Sequence, residues 1–143
     1  QNFILLNPNT NLHRLPIFSF QINKFHYNFI VALLCDLFGI TSRGGVSCSG
    51  VLAEKLLNLT ESENMIIVES IKNGKGVPSN YGWIRITLTS FHTEQDIFYI
   101  AKSIYYLCQN AHKYLKDYAY DNEKNVYFSK RCSDGICSTA YVN

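Results

Sequence analysis

The chain has 143 residues, of which 47% are hydrophobic and 17% are charged. This length and composition predict one domain with a buried core and leave too few residues for two ordinary domains. The formal net charge is only +2 and no run of basic residues forms a stripe, so charge gives no reason to expect a nucleic-acid partner.

The longest apolar run, residues 29–34, is too short to cross a bilayer, and the first residues do not resemble a signal peptide. We therefore expect a cytoplasmic protein without a membrane partner, an organellar location being the alternative.

A strand and a buried helix are predicted in the first third of the chain. Residues 17–22 partly alternate between apolar and polar side chains, as in a half-buried strand. Residues 26–38 carry apolar side chains around most of the helical circumference, which predicts a core helix. Gly39 follows at the position of a left-handed C-cap.

The stretch from Arg43 to Gly50 has the composition of a functional loop. The glycine pair after Arg43 lets the main chain turn or approach a ligand closely. The guanidinium of Arg43 can bind a carboxylate or phosphate, although a solvated loop charge is the alternative. Cys48 precedes a predicted helix and has a cation nearby, which favours a thiolate nucleophile. A small buried residue is an equally good interpretation of Cys48 from spacing alone.

Two short helices and a loop are expected next. The apolar pattern of residues 50–59 predicts the first helix, and Thr60 to Glu63 is a capping-box pattern that opens the second. Residues 73–78 read as a loop, and their Gly-Lys-Gly lacks the spacing of a phosphate-binding P-loop.

A strand with an arginine and the longest helix follow. Residues 83–89 alternate around aromatic and β-branched side chains, and Arg85 lies inside this strand. Carboxylate binding and a surface ion pair are the two interpretations of Arg85. Thr93 to Asp96 resembles a helix N-cap with an acidic first turn, and the apolar stripe behind it predicts a helix over 94–117.

These elements predict the α+β class. We expect a small, mainly antiparallel sheet from residues 17–22, 43–48 and 83–89, with the helices at 26–38 and 94–117 packed on one face. Residues 1–117 form this domain, and residues 118–143 are an extension with one predicted edge strand at 125–129.

The cysteines and histidines show no metal-site spacing. Five cysteines are an odd number, which favours free thiols, and Cys35 and Cys108 fall on helical stripes as core residues. Cys132 and Cys137 form one pair without a second, so we expect no metal. Solvent-facing roles are expected for the histidines, which are His13, His26, His92 and His112.

Four segments in order resemble the C-terminal part of class V aminotransferases, the group that contains the cysteine desulfurases. The segments are Arg14 to Phe20, Phe29 to Ile40, Arg43-Gly44-Gly45-Val46-Ser47-Cys48, and Trp83-Ile84-Arg85-Ile86-Thr87-Leu88 followed by Thr93-Glu94. The resemblance covers about residues 1–117.

This resemblance implies the small C-terminal domain of a fold type I pyridoxal-phosphate enzyme, a transferase acting on an amino acid as a homodimer. Arg85 matches the arginine that binds the substrate carboxylate, and Arg43 matches an arginine of the substrate loop. Cys48 matches the desulfurase cysteine that carries a persulfide; another class V aminotransferase activity is the alternative. The Schiff-base lysine and the cofactor belong to a large domain, so we expect this chain to be a fragment that binds no cofactor and is inactive alone. A stand-alone, non-enzymatic ferredoxin-like module that binds a ligand or a protein is the competing hypothesis.

Overall fold

The fold is built around a four-stranded antiparallel sheet. The computed structural model describes residues 2–6, 8, 13, 15–46 and 50–132. The strands lie in the order β1-β2-β4-β3. They are β1 (Phe3–Leu6), β2 (Ile17–Ile22), β3 (Arg43–Gly45) and β4 (Trp83–Thr87). The predicted α+β class is confirmed, and β1 is a strand that the sequence pattern did not predict.

Four α-helices surround the sheet in the described part of the chain. They are α1 (Tyr27–Phe38), α2 (Gly50–Leu57), α3 (Glu61–Lys72) and α4 (Glu94–Asn110). Gly39 ends α1 with a φ of 64°, which confirms the left-handed cap. Thr60 and Thr93 each close a capping box at the start of α3 and α4, as their sequences predict. No helix within the described ranges is long and apolar enough to cross a membrane.

Helix α1 joins two strands that are parallel but not adjacent. Both β2 and β3 pair antiparallel with β4, so they run parallel to each other with β4 between them. This arrangement is a split β-α-β unit. It places the strand of Arg43 beside the strand of Arg85, although the two lie far apart in the sequence.

The main core lies between α1 and one face of the sheet. Ile84 and Ile86 of β4 are buried and pack with Leu33 and Leu34 of α1. Helix α4 adds Leu107 to the same cluster and contacts α1. The two long helices therefore cover one face of the sheet, as their apolar stripes predict.

A smaller cluster covers the opposite face. Trp83 alternates with Ile84 along β4 and so points away from the main core. It is 2% exposed and packs with Leu6 of β1 and Ala53 of α2. Helix α2 thus protects part of the second face, and the sequence pattern did not predict this position.

The chain after α4 folds back onto the domain. Residues Ala111–Asp117 form a 3-10 segment where a continued α-helix was predicted, and the hairpin of β5 (Tyr118–Asp121) and β6 (Val126–Ser129) follows. The ring of Tyr118 packs edge-on against Phe29, with centroids 5.6 Å apart, and its hydroxyl donates to Asp36 Oδ2 at 2.8 Å. The described part of the extension is therefore attached to the main core.

Candidate functional site

Arg43 and Arg85 are cross-strand neighbours. They lie directly opposite each other in the antiparallel pair of β3 and β4, so their side chains leave the same face of the sheet. This is the face of Trp83, opposite the main core. Arg43 is exposed and Arg85 is partly buried. The structure thus brings together two arginines that the sequence singled out separately.

Both arginines line one cleft of about 510 Å³. We call it the two-arginine cleft; the lining residues that carry its chemistry are Ser42, Arg43, Arg85, His92 and Asp96. Its walls are the loop between α1 and β3, the end of β4, and the first turns of α4. Small-molecule sites in proteins usually enclose about 300–1,000 Å³, so the cleft has room for a metabolite.

The two arginines of the cleft form no ion pair within the described residues. The ion pairs formed within the described residues are Lys124–Asp121 and Arg131–Asp117, and neither includes a cleft arginine. Asp96 is the acidic residue of the described lining, and its Oδ2 accepts from the hydroxyl of Thr93 at 2.7 Å and from the Thr93 N–H at 2.8 Å. These bonds hold the pKa of Asp96 below its usual value. The carboxylate therefore stays ionised, and its Oδ2 is occupied by the helix cap.

Ser42 has a buried hydroxyl group in the wall of the cleft. It is only 7% exposed, yet its Oγ has no hydrogen-bond partner among the described residues. An unpaired buried hydroxyl costs roughly 1–3 kcal/mol, so such groups are rare in folded proteins. The Oγ atom is closed off from solvent, so the hydroxyl belongs to the interior of the cleft wall.

His92 is one of the residues that line the cleft. Its Nδ1 accepts a hydrogen bond from the Thr89 N–H at 3.0 Å. In the neutral ring the proton then lies on Nε2. The prediction of a purely solvent-facing role misses this position, because it depends on where the loop after β4 meets the loop before β3.

Gly44 fixes the position of the strand that carries Arg43. A Cβ at this residue would collide with Oδ1 of Asn28 and would lie 2.7 Å from Cδ2 of Tyr27. The absence of a side chain therefore allows β3 to approach the first turn of α1. Because Arg43 is the next residue, the same contact fixes the position of its backbone beside β4.

The cysteines divide into two sets. Cys48 lies outside the described residues, so its role as nucleophile stays a prediction. Cys137 and the side chain of Cys132 also lie outside them. Cys35 and Cys108 are not joined in a disulfide and are partly buried, and Cys108 packs against the main core. Burial raises the pKa of the Cys108 thiol, which disfavours the reactive thiolate.

His26 is buried, so the predicted solvent-facing role is wrong for this histidine. It is 8% exposed and caps α1, its Nδ1 accepting from the Asn28 N–H at 3.1 Å. Its Nε2 lies 3.1 Å from the Val77 carbonyl oxygen, to which it donates. Three aromatic rings surround it, those of Tyr27, Tyr120 and Tyr127. Two of these rings come from the distant β5–β6 hairpin, which is why the local sequence does not reveal the burial.

The residues of the cleft do not by themselves fit pyridoxal phosphate. That cofactor is held as a Schiff base by a lysine, and the described lining contains no lysine. Within the described ranges, no three His, Cys, Asp or Glu side chains come together as a metal site. The chemistry that the cleft can perform with its own side chains is the binding and orientation of an anion.

Comparison with protein-family models, with curated proteins and with solved structures gives no significant match. The function is therefore argued from the geometry of the two-arginine cleft.

Proposed function

We propose that this chain binds the carboxylate group of a small molecule at the paired side chains of Arg43 and Arg85. The observation that carries the proposal is the direct opposition of Arg43 and Arg85 on neighbouring strands, with no protein carboxylate paired to either within the described residues. Like charges placed opposite each other in a sheet are destabilising. A bound anion removes that repulsion.

Arginine suits this task better than lysine. Its planar guanidinium offers two parallel N–H donors that match the two oxygens of a carboxylate. Arg85 is partly buried inside a central strand, so its position is well defined.

We further propose that the ligand is an amino-acid substrate and that the chain is the substrate domain of a larger class V aminotransferase-like enzyme. The resemblance of the segments around Arg43 and Arg85 supports this assignment. In such an enzyme another domain holds pyridoxal phosphate and its lysine, and a second protomer completes a homodimer. Cys48 is then the proposed persulfide carrier of a cysteine desulfurase-like reaction, with another class V reaction as the alternative.

A stand-alone binding module remains the second candidate. The lack of a lysine in the described lining favours it for the chain taken alone. The two candidates differ in what the gene encodes upstream of residue 1. A large domain with a lysine next to a glycine-rich phosphate loop supports the enzyme, and a start codon directly before the codon of Gln1 supports the module.

Carboxylate binding can be tested with the chain's own tryptophan. Trp83 is the single tryptophan of the sequence, and it lies on the same strand and the same face as Arg85. We expect its fluorescence to change on titration with alanine or butyrate. Arg85→Lys should weaken binding by roughly 1–3 kcal/mol, because the bidentate geometry is lost.

The matched control is Arg131→Lys, a conservative change at an exposed arginine outside the cleft, which should leave the affinity unchanged. Equal affinity in Arg85→Lys and the wild type would remove Arg85 from the site.

A further inference from the structure

We infer that the outward face of α4 is a self-association surface, on which a second copy of this chain docks its own α4 in the antiparallel direction. The surface, which we call the α4 stripe, consists of Glu94, Phe98, Ala101, Lys102 and Tyr105, all of which are exposed. The stripe contains neither cleft arginine, so this surface is separate from the proposed carboxylate site.

The α4 stripe lies on the side of the helix that faces away from the core. Helix α4 is anchored by Ser103 and Leu107, which are 3% and 0% exposed. Positions 98, 101 and 105 share another face, because residues three and four apart in a helix are neighbours. The outward face of a surface helix normally carries polar residues, yet here Phe98 is 65% and Tyr105 is 67% exposed. An apolar outward face of this kind is typical of an interaction surface.

The charges of the α4 stripe are complementary to those of a second, antiparallel copy. Glu94 lies one turn before Phe98 and Lys102 lies one turn after it. When two copies pair with Phe98 beside Phe98, each Glu94 comes level with Lys102 of the other copy, because both lie about 6 Å from Phe98 along the helix axis. A parallel pair in the same register would place like charges level with each other.

Both charges are available for this pairing. Neither Glu94 nor Lys102 belongs to an ion pair within the described residues. The Nζ of Lys102 lies 4.9 Å from the centre of the Phe98 ring, so the ammonium group stands beside the aromatic side chain at the middle of the stripe. An antiparallel copy would therefore place a carboxylate near each of these ammonium groups.

The exposed aromatic area predicts a weak dimer. Phe91 is 93% exposed and directly precedes the N-cap region of α4, where the antiparallel pairing brings Tyr105 of the other copy. An aromatic side chain can bury about 150–250 Å², so the exposed parts of Phe91, Phe98 and Tyr105 offer roughly 450 Å² per copy. Two copies then bury about 900 Å², within the range of weak interfaces below about 1,200 Å². We expect a dissociation constant in the micromolar range or weaker.

The first test is sedimentation of the full chain over a concentration series from about 5 µM to about 500 µM, which spans the range of a weak dimer. The average mass should rise from that of the monomer toward that of the dimer. Phe98→Asp should keep the chain monomeric throughout, with an unchanged circular dichroism spectrum. Ile66→Asp is the matched control, since Ile66 lies on α3 and is 68% exposed, and it should associate as the wild type does.

Charge reversal tests the antiparallel register. Glu94→Lys alone and Lys102→Glu alone each bring like charges level with each other, so each should weaken association about tenfold at low salt. The double variant with both changes should recover the wild-type association. An equimolar mixture of the two single variants should form a heterodimer, because every level pair is then of opposite charge. A folding defect cannot explain recovery of this kind.

Three outcomes would overturn the inferred surface. The first is a wild-type chain that stays monomeric over the whole series, as expected if another protein or domain covers the stripe. The second is a Phe98→Asp variant that dimerises as the wild type does. The third is the absence of recovery in both the double variant and the mixture, which would exclude the antiparallel pairing of Glu94 with Lys102.

Discussion

Two arginines directly opposite each other on adjacent strands lower the free energy of unfolding. Arg43 and Arg85 occupy a directly opposed pair, where like charges destabilise a sheet. Sites that bind ligands often keep such an arrangement at the expense of folding free energy. The same feature that prepares the cleft for an anion should therefore weaken the ligand-free protein.

Arg43→Thr should accordingly raise the free energy of unfolding of the ligand-free chain by about 0.2–1 kcal/mol. Threonine is favoured in strands, and the substitution removes the repulsion. Urea denaturation at low salt measures the change. Arg131→Thr provides the comparison, since Arg131 lies 3.8 Å from Asp117 and its loss should stabilise nothing. A less stable Arg43→Thr variant would show that the two guanidinium groups do not repel each other.

The sequence marks both arginines as candidates, and the structure adds that they are neighbours. Periodicity identifies the strands, but it does not determine which strands pair or in what register. No sequence pattern points to Ser42, because whether its hydroxyl has a hydrogen-bond partner depends on the groups that surround it in the fold. The two arginines were therefore identifiable from the sequence, and their pairing across β3 and β4 was not.

At the scale of elements, the first turn of α4 forms one wall of the cleft. Thr93 caps this helix in a reciprocal arrangement, since its Oγ accepts from the Asp96 N–H at 3.2 Å while Asp96 accepts from Thr93. These bonds fix the first turn of α4. They also direct the Asp96 Oδ2 to Thr93, and no ion pair joins Asp96 to either arginine in the described structure.

Thr93→Ala should therefore cost about 1 kcal/mol of unfolding free energy. Circular dichroism during urea unfolding measures it. Thr93→Ser retains the hydroxyl and should stay close to the wild type. If serine and alanine are equally destabilising, the methyl group of Thr93 matters and the cap does not.

Local signals identify helix boundaries better than short strands in this chain. Both capping boxes and the Gly39 cap lie where the sequence predicts them, because each depends on neighbouring residues. Strand β1 has four residues and owes its conformation to pairing with β2. Its sequence shows no alternation, so nothing local distinguishes it from a loop.

At the scale of the whole molecule, His26 connects three parts of the fold. It caps α1, bonds to the loop at Val77, and packs against two rings of the β5–β6 hairpin. Burial lowers the pKa of His26, and the hydrogen bond to Val77 opposes this effect in part. The neutral ring is the form that fits, because a proton on Nδ1 would remove the acceptor for the Asn28 N–H.

Stability should consequently fall in mild acid. The pKa of His26 is lower in the folded state than the ordinary value of 6.5, so the unfolded chain binds a proton first as the pH drops. The free energy of unfolding is then highest above pH 6.5, declines below it, and levels off once the pH passes the folded-state pKa. Urea unfolding across this range measures the slope.

His26→Asn separates this effect from other titrations. Asparagine is a good N-cap but does not titrate, so the variant should be less stable at neutral pH and should lose the slope assigned to His26. His112→Asn changes an exposed histidine and should keep that slope. An unchanged slope in His26→Asn would assign the acid sensitivity to other groups.

A ligand that binds both Arg43 and Arg85 would link the edge strand β3 to the central strand β4. Strand β3 has three residues and is hydrogen-bonded within the sheet to β4 alone. Edge segments of this kind open without unfolding the rest of a protein, and their amide hydrogens exchange with solvent through such openings. If the ligand must dissociate before β3 can open, the fraction of molecules with an open β3 falls as the fraction of ligand-bound protein rises. The amides of β3 would then exchange more slowly as the ligand concentration rises, while those of the main core would keep their rates.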